Sequence, residues 1–425
     1  MIQELKIKNY LSIKDEAKIS FDASNDPFAE DYQVVKINEQ TRLLRFAIVY
    51  GYNESGKTNI FDAFVFLGGF FRDDPTSFFK NTGALPFMFD SSSKASPSSF
   101  ELTFFVGDSK YKYSLEVDQK QVYLESLSVY NSYQPTMLFK RTLVGEQSKI
   151  DISPKLKVSK SIRDALEVNC LKNMSFFAAR NKVNGKLPYI DDAQEWLVKH
   201  IRTIDKNTDL MRYAKNKLKN NIDIKRNTLD MLKNADFNIT DIDIEEEFIP
   251  KDLAKLIFSS NIVPNEMKRE LNISKDTKHL IATFRHSVAT NKGPLVYTLN
   301  EALESLGTLR SIGLNVALYE AMRNDCFLAI DEIENSLHPD LLQYLLYIFL
   351  KNNSRSQLFA TTHYDGLLDL TDDLIRKDSI WFVEKNKMGV SDYYRLTDFK
   401  GVNRITSIRS AYRNKRFGAT QFSVK

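Results

Sequence analysis

The chain has 425 residues, 43% apolar and 27% charged, with 2 cysteines and 11 prolines. That balance fits one large α/β core with a smaller subdomain, or two or three domains, and it excludes a disulfide scaffold or a zinc finger. The formal charge of +4 hides an asymmetry, because residues 400–425 hold seven basic side chains (Lys400, Arg404, Arg409, Arg413, Lys415, Arg416, Lys425) and no acid, which leaves −3 on the rest.

In chain order, Ile2 to Asn9 alternates apolar and polar residues, Ala17 to Phe21 repeats the pattern, and Leu43 to Tyr50 is a dense apolar run. All three read as strands. The polar Ser/Pro cluster Asp90 to Ser99 predicts a loop, and the runs Phe100–Val106, Tyr111–Val117 and Gln121–Leu127 are spaced like an antiparallel meander. From Pro154 to Phe258 the sequence is rich in Lys, Asn and Asp, with apolar residues at helical spacing such as Leu210, Met211, Ala214 and Leu218. These stretches are short and broken, so a helical hairpin or bundle is expected and not a long coiled coil. Strand-like segments resume after Leu280, then a helix over 303–322, a strand over Cys326–Ile330, a helix over Pro339–Leu350, and strands over Gln357–Thr361 and Ile380–Glu384. The expected division is an N-terminal lobe over 1–153, a helical insertion over 154–265 and a C-terminal lobe over 266–425. No apolar run approaches the ~18 residues of a membrane span and Met1–Glu4 shows no signal-peptide core, so a cytoplasmic protein without membrane contact is expected.

The third strand runs into Gly51-Tyr52-Asn53-Glu54-Ser55-Gly56-Lys57-Thr58, of the form G-x-x-x-x-G-K-[ST]. In that form loop amides and the start of the next helix cradle phosphates, the Lys reaches the outer oxygens and the Thr hydroxyl ligates Mg²⁺. A chance match in a chain this long is on the order of one in a hundred from average residue usage. ATP and Mg²⁺ are therefore the expected cofactors, held by Gly51, Asn53, Glu54, Ser55, Gly56, Lys57, Thr58 and Asn59. The apolar run Phe327–Ile330 ends in Asp331-Glu332, which would place Asp331 with Thr58 at the metal and Glu332 where it can orient and deprotonate a water. Ser305-Leu306-Gly307-Thr308 opens a helix about twenty residues earlier, and its hydroxyl and unpaired amides suit a γ-phosphate presented by another subunit. Thr361-Thr362-His363 closes a strand with a His that could contact the same phosphate.

With these four pieces in this order the chain resembles the ABC-type ATPase heads of the structural-maintenance-of-chromosomes and RecF proteins. It more closely resembles the ATPase domain of the overcoming-lysogenisation-defect (OLD) family. The resemblance makes Gly51–Thr58 the Walker A loop, Ser305–Thr308 the signature, Asp331-Glu332 the Walker B acids, Glu334–Pro339 the D-loop and His363 the switch histidine. It also relates Leu5–Ile13 to the first strand pair and Tyr412–Ala419 to the tail of stand-alone members. It implies an α/β P-loop head with a mixed central sheet, an adjoining antiparallel sheet and a short helical insertion. No glutamine is assigned to the Q-loop, and no room is seen after His363 for a TOPRIM nuclease domain. The chain thus looks like a separate ATPase, as in phage-defence systems such as PARIS. That likeness implies a homodimer, or a larger homo-oligomer, joined through ATP sites, with a separate nuclease or toxin as effector. The alternative is a DNA-binding clamp of repair or chromosome maintenance, using the basic tail. His286 reads as a structural histidine, the acidic stretch Asp241–Glu247 as a solvated or partner-docking face of the insertion, and the 48 Phe and Tyr residues as core.

Overall fold

The computed structural model describes residues 1–75, 80–130, 134–235, 237–248, 278–291 and 293–420. Its strands begin with β1 (Ile2–Lys8), β2 (Ala17–Ser20), β3 (Val34–Lys36), β4 (Arg42–Leu44) and β5 (Phe46–Tyr50). There follow β6 (Ser98–Val106), β7 (Ser109–Val117), β8 (Val122–Tyr130), β9 (Thr136–Val144), β10 (Gln147–Ile152) and β11 (Ile201–Ile204). Next come β12 (Ile239–Phe248), β13 (Lys278–Thr290), β14 (Gly293–Asn300), β15 (Phe327–Ile330), β16 (Gln357–Thr362), β17 (Ile380–Lys385) and β18 (Ser391–Arg395). The chain divides into two compact units, Met1–Lys206 with Ala321–Asn335 and Leu346–Lys425, and Asn207–Glu320 with Ser336–Leu345.

In the first unit an antiparallel sheet, ordered β10-β9-β8-β7-β6-β1-β2, adjoins a mixed sheet ordered β11-β15-β16-β5-β17-β18. In the latter only β18 runs antiparallel to its neighbour. All five residues of β5 are buried, as a strand covered on both faces requires. The helix Lys57–Arg72 fills the space between the sheets. Phe64 packs on Phe327 and Phe359 of the mixed sheet, with ring centroids 4.7 and 5.1 Å away, and Phe71 packs on Tyr113 of the other at 5.1 Å. The aromatic residues thus serve the core, as their strand spacing indicates.

The structure differs from the sequence reading at several elements, each for a local reason. The expected strand Leu43–Tyr50 splits at Arg45, whose buried guanidinium donates to the carbonyls of Tyr32, Phe349 and Ser356. The three-strand meander continues through β9 and β10, and the expected last strand β17 turns back as β18. Within the span expected to be a helical insertion, 154–265, β11 pairs in parallel with β15 as an edge of the mixed sheet. The first segment of the first unit runs to Lys206, so the helices Lys160–Asn169, Phe176–Arg180 and Ile190–His200 belong to it. Residues 249–265 lie outside the described residues.

The second unit holds the helices Leu210–Asn220 and Ile222–Asn234, capped by the side chains of Asp209 and Asn221, beside a sheet ordered β12-β13-β14. The acidic stretch Asp241–Glu247 lies on β12 and not on a helix. Its acids alternate with Ile242 and Ile244, which is a strand period that a reading by composition obscured. Lys225 and Arg285 pair with Asp241 and Asp243 at 2.8 and 2.6 Å, so these acids are not simply solvated. His286 is held by Glu304 at 2.6 Å, in keeping with a structural role. Among the described residues no helix is long and apolar enough to cross a membrane, and Cys170 and Cys326 are buried and form no disulfide.

Candidate functional site

Parallel strands carry their loops out of the same sheet edge, and in open α/β sheets ligands bind there. β16 lies between β5 and β15, with Ala360 beside both Ile48 and Ile330. The chain ends leaving β5, β16 and β15 are therefore neighbours, which brings Gly51–Thr58, Thr361–His363 and Asp331-Glu332 together although they are some 300 residues apart at the extremes. Gly56 takes φ of 113° and precedes the helix Lys57–Arg72, which no side chain caps. Its first amides remain available to an anion. A Cβ at Gly56 would collide with Ser391, and one at Gly51 would come within 2.7 Å of the Val383 carbonyl, so the loop lies flush on the β17–β18 hairpin.

That hairpin braces the loop. Ser391 Oγ donates to Ser55 O at 2.7 Å, Tyr393 OH to Gly56 O at 2.7 Å, and Tyr52 OH to Lys385 O at 2.9 Å. Ser12 Oγ lies 2.6 Å from Ser391 Oγ and accepts a bond from Asn59 Nδ2. Asn53 and Glu54 stand exposed at the loop tip, Glu54 with φ of 68°. The Ser55 hydroxyl is buried without a hydrogen-bond partner. Lys57 Nζ donates to Gly51 O at 2.8 Å and Tyr52 O at 3.0 Å. Burial lowers its pKa, against the opposing pull of Glu332, Glu334 and Asp331.

Asp331 is fully buried at the end of β15. Thr361 Oγ1 donates to its Oδ1 at 2.6 Å and accepts the Glu332 amide at 2.8 Å, while Thr58 Oγ1 reaches its two oxygens at 3.4 and 3.3 Å. Burial raises the Asp331 pKa although these hydroxyls oppose it. Asp62, one turn along the helix from Thr58, is lifted to about 6 by burial and by the charges of Asp331 and Asp205. Glu332 adopts φ of 47°, an uncommon backbone for a non-glycine residue, and its carboxylate sits 3.2 Å from Lys206 Nζ. Lys206 O in turn accepts Asn335 Nδ2 at 2.9 Å, and Glu332 raises the Lys206 pKa. His363 is half exposed, with Nδ1 2.8 Å from Glu334 Oε1.

Among the described residues no group of three His, Cys, Asp or Glu is disposed to hold a metal alone. A buried carboxylate facing a threonine hydroxyl next to an uncapped helix instead fits Mg²⁺, which takes one or two protein oxygens and completes its shell with water and phosphate. Ser305 and Gly307 belong to the second unit. Ser305 Oγ caps the helix Leu306–Arg323 through the Thr308 amide at 3.0 Å, and a Cβ on Gly307 would lie 2.9 Å from Ser336 O. Sequence reasoning missed Lys206, Thr361 as the partner of Asp331, and the bracing Ser12, Ser391 and Tyr393. Thr361 stood in the Thr-Thr-His run and could have been found, whereas Lys206 is one lysine among many in a Lys/Asn-rich stretch.

The family described as "AAA domain, putative AbiEii toxin, Type IV TA system" matches residues 46–369, about three quarters of the chain. The structure is similar to the SMC head domain from Thermotoga maritima, with 15% identity, a TM-score of 0.40, and coverage of 93% of this chain and 98% of that one. It is also similar to an SMC head bound to the C-winged helix domain of ScpA, with 14% identity, a TM-score of 0.44, and coverage of 93% and 99%. No curated protein matches significantly.

Proposed function

The chain belongs to the AAA-domain family matched over residues 46–369, and from that premise we propose that it hydrolyses ATP as the sensor or scaffold subunit of a bacterial anti-phage system of abortive-infection type, controlling a separate toxic effector. The observation that carries the ATPase reading is the convergence of Lys57, Thr58, Asp331 and Thr361 at one sheet edge. Lys57, Thr58 and Asp331 hold MgATP, and the metal supplies charge neutralisation to the phosphates. Glu332 orients the attacking water and takes its proton. His363, which pairs with Glu334, senses the outer phosphate in this reading. Ser305 and Gly307 act on the nucleotide of a second copy, so turnover requires at least a homodimer.

The defence role draws on the family's description, which names a toxin of a type IV toxin–antitoxin system. The DNA-binding alternative leans on the basic tail. There Arg409 pairs with Asp369 at 2.6 Å, and both Arg409 and Arg413 pair with Asp365, so acidic neighbours offset two of the seven cations.

Two variants test the site. Lys57→Ala is expected to weaken ATP binding by about 100-fold or more, whereas Glu332→Gln retains binding within a few-fold and loses about 100-fold or more in turnover. Equilibrium binding of a fluorescent ATP analogue, set beside single-turnover hydrolysis, separates the two effects. Equal loss of binding in both variants would overturn the assigned roles. Light scattering of Glu332→Gln protein is expected to report a larger assembly with MgATP than without it.

A further inference from the structure

The three-stranded sheet of the second unit has two edges of opposite character. β12 carries Asp241, Asp243, Glu245, Glu246 and Glu247, three of them paired with Lys225, Arg285 and Lys219, so a strand laid against it would meet a row of charged side chains. β14 pairs with β13 on one side, and among the described residues nothing pairs with the other. Its sequence, Gly293-Pro294-Leu295-Val296-Tyr297-Thr298-Leu299-Asn300, has no charged residue, and Leu295, Val296 and Tyr297 are 50%, 62% and 51% exposed. Three consecutive residues of a strand point to alternate faces, so this strand is apolar and open on both. Soluble proteins guard such edges with charge, proline, bulges or brevity. β12 has that guard in its acids. β14 has only Pro294 near its start, which leaves Leu295 to Asn300 with a bare row of backbone donors and acceptors on the outer side.

We propose that β14 is an interface between copies of this chain, pairing antiparallel with β14 of a second copy across a twofold axis. A foreign strand is chosen by side-chain pockets or by charge. β14 presents neutral side chains, with Leu295, Val296 and Tyr297 exposed, and no charge with which to choose. Antiparallel self-pairing needs no such selection, since it sets the same neutral residues against each other and satisfies both open rows of backbone groups at once. The contact is independent of nucleotide and does not rest on the ATPase reading. If both contacts exist, two different twofold interfaces on one chain build a ring or a filament, so bound ATP would enlarge an assembly that is already dimeric.

The test uses the full chain carrying Lys57→Ala, in which nucleotide-driven association is removed. Light scattering without nucleotide is expected to give twice the 49.1 kDa chain mass, and adding Val296→Lys is expected to give the monomer with unchanged circular dichroism. Single cysteines placed in turn from Leu295 to Leu299 give a second readout that does not depend on the charge variant folding. Antiparallel self-pairing sets one position nearest the axis, so the yield of disulfide-linked dimer should peak there and fall on either side, over a low background because Cys170 and Cys326 are buried. A monomer at tens of micromolar, a dimer that Val296→Lys leaves intact, or a flat cross-linking profile would each overturn the proposal.

Discussion

Two kinds of buried-charge cluster in the first unit are built on opposite principles. Arg376 and Asp378 are almost fully buried and close on each other at 2.9 and 2.7 Å, and the remaining capacity of the pair is taken by the Ser24 hydroxyl at 2.6 Å and the Asp26 carbonyl at 3.0 Å. Arg141 and Glu125 repeat the scheme at 3.0 Å, with Tyr113 and the Phe176 amide on the carboxylate. Each acid there has its own guanidinium. At the strand ends around Asp331 the balance is different. Asp331 acts on Asp62, Glu332 acts on Asp331, and Lys57 and Lys206 face Asp331, Glu332, Glu334 and Asp205 between them, so acids outnumber cations. Asp331 is held by hydroxyls and not by a cation, and burial lifts its pKa. Structural charges are neutralised within the fold, whereas the proposed site keeps an excess of acids over cations, the balance that a bound cation would offset.

Three substitutions would break or sharpen this contrast. The largest expected effect on stability is that of Asp378→Asn, about 3 kcal/mol at pH 7, because it leaves Arg376 buried without its counter-charge. Burial alone would raise the Asp378 pKa, but hydrogen bonds from Arg376 and Ser24 hold it below the ordinary carboxylate value. The stabilisation is therefore complete above about pH 4, the unfolded value, and is lost as pH falls through the lower folded value. Urea unfolding of both proteins at pH 7 and pH 3 should show the gap narrowing on acidification, and a constant gap would count against the ion pair. ATP turnover per folded molecule should be unchanged.

Thr361→Val, in contrast, should act mainly on chemistry. It removes the donor to Asp331 and the acceptor of the Glu332 amide, and it is expected to lower kcat about 100-fold while costing about 1–2 kcal/mol of stability. A smaller loss is expected from Lys206→Met, about 10-fold in kcat with little change in KM, largely restored by Lys206→Arg. Steady-state kinetics of the three proteins settle it. An equal rise in KM, or no rescue by Arg, would make Lys206 a structural contact and not a group that positions Glu332.

Much of the fold was legible in the sequence because local chemistry wrote it there. β1, β2, β6 to β8 and β15 to β17 follow apolar alternation or dense apolar runs, and Gly51–Thr58 declares itself because close approach of the loop to β17 and β18 tolerates only glycine at Gly51 and Gly56. The order of the motifs along the chain was likewise readable, since each is a run of adjacent residues. What the tertiary structure decided is which distant residues meet. Nothing local distinguishes β11, four residues in a segment of helical composition, until β15 offers it an edge. Nothing marks Lys206 among its neighbouring lysines until that strand delivers it to Glu332. The same holds for Ser391 beneath the phosphate loop and for the acidic β12, whose strand period becomes decisive only when β13 lies beside it. Periodicity and glycine are short-range signals carried by the backbone, whereas sheet order and ion pairing arise from contacts hundreds of residues apart, which the chain specifies only through the sum of its packing.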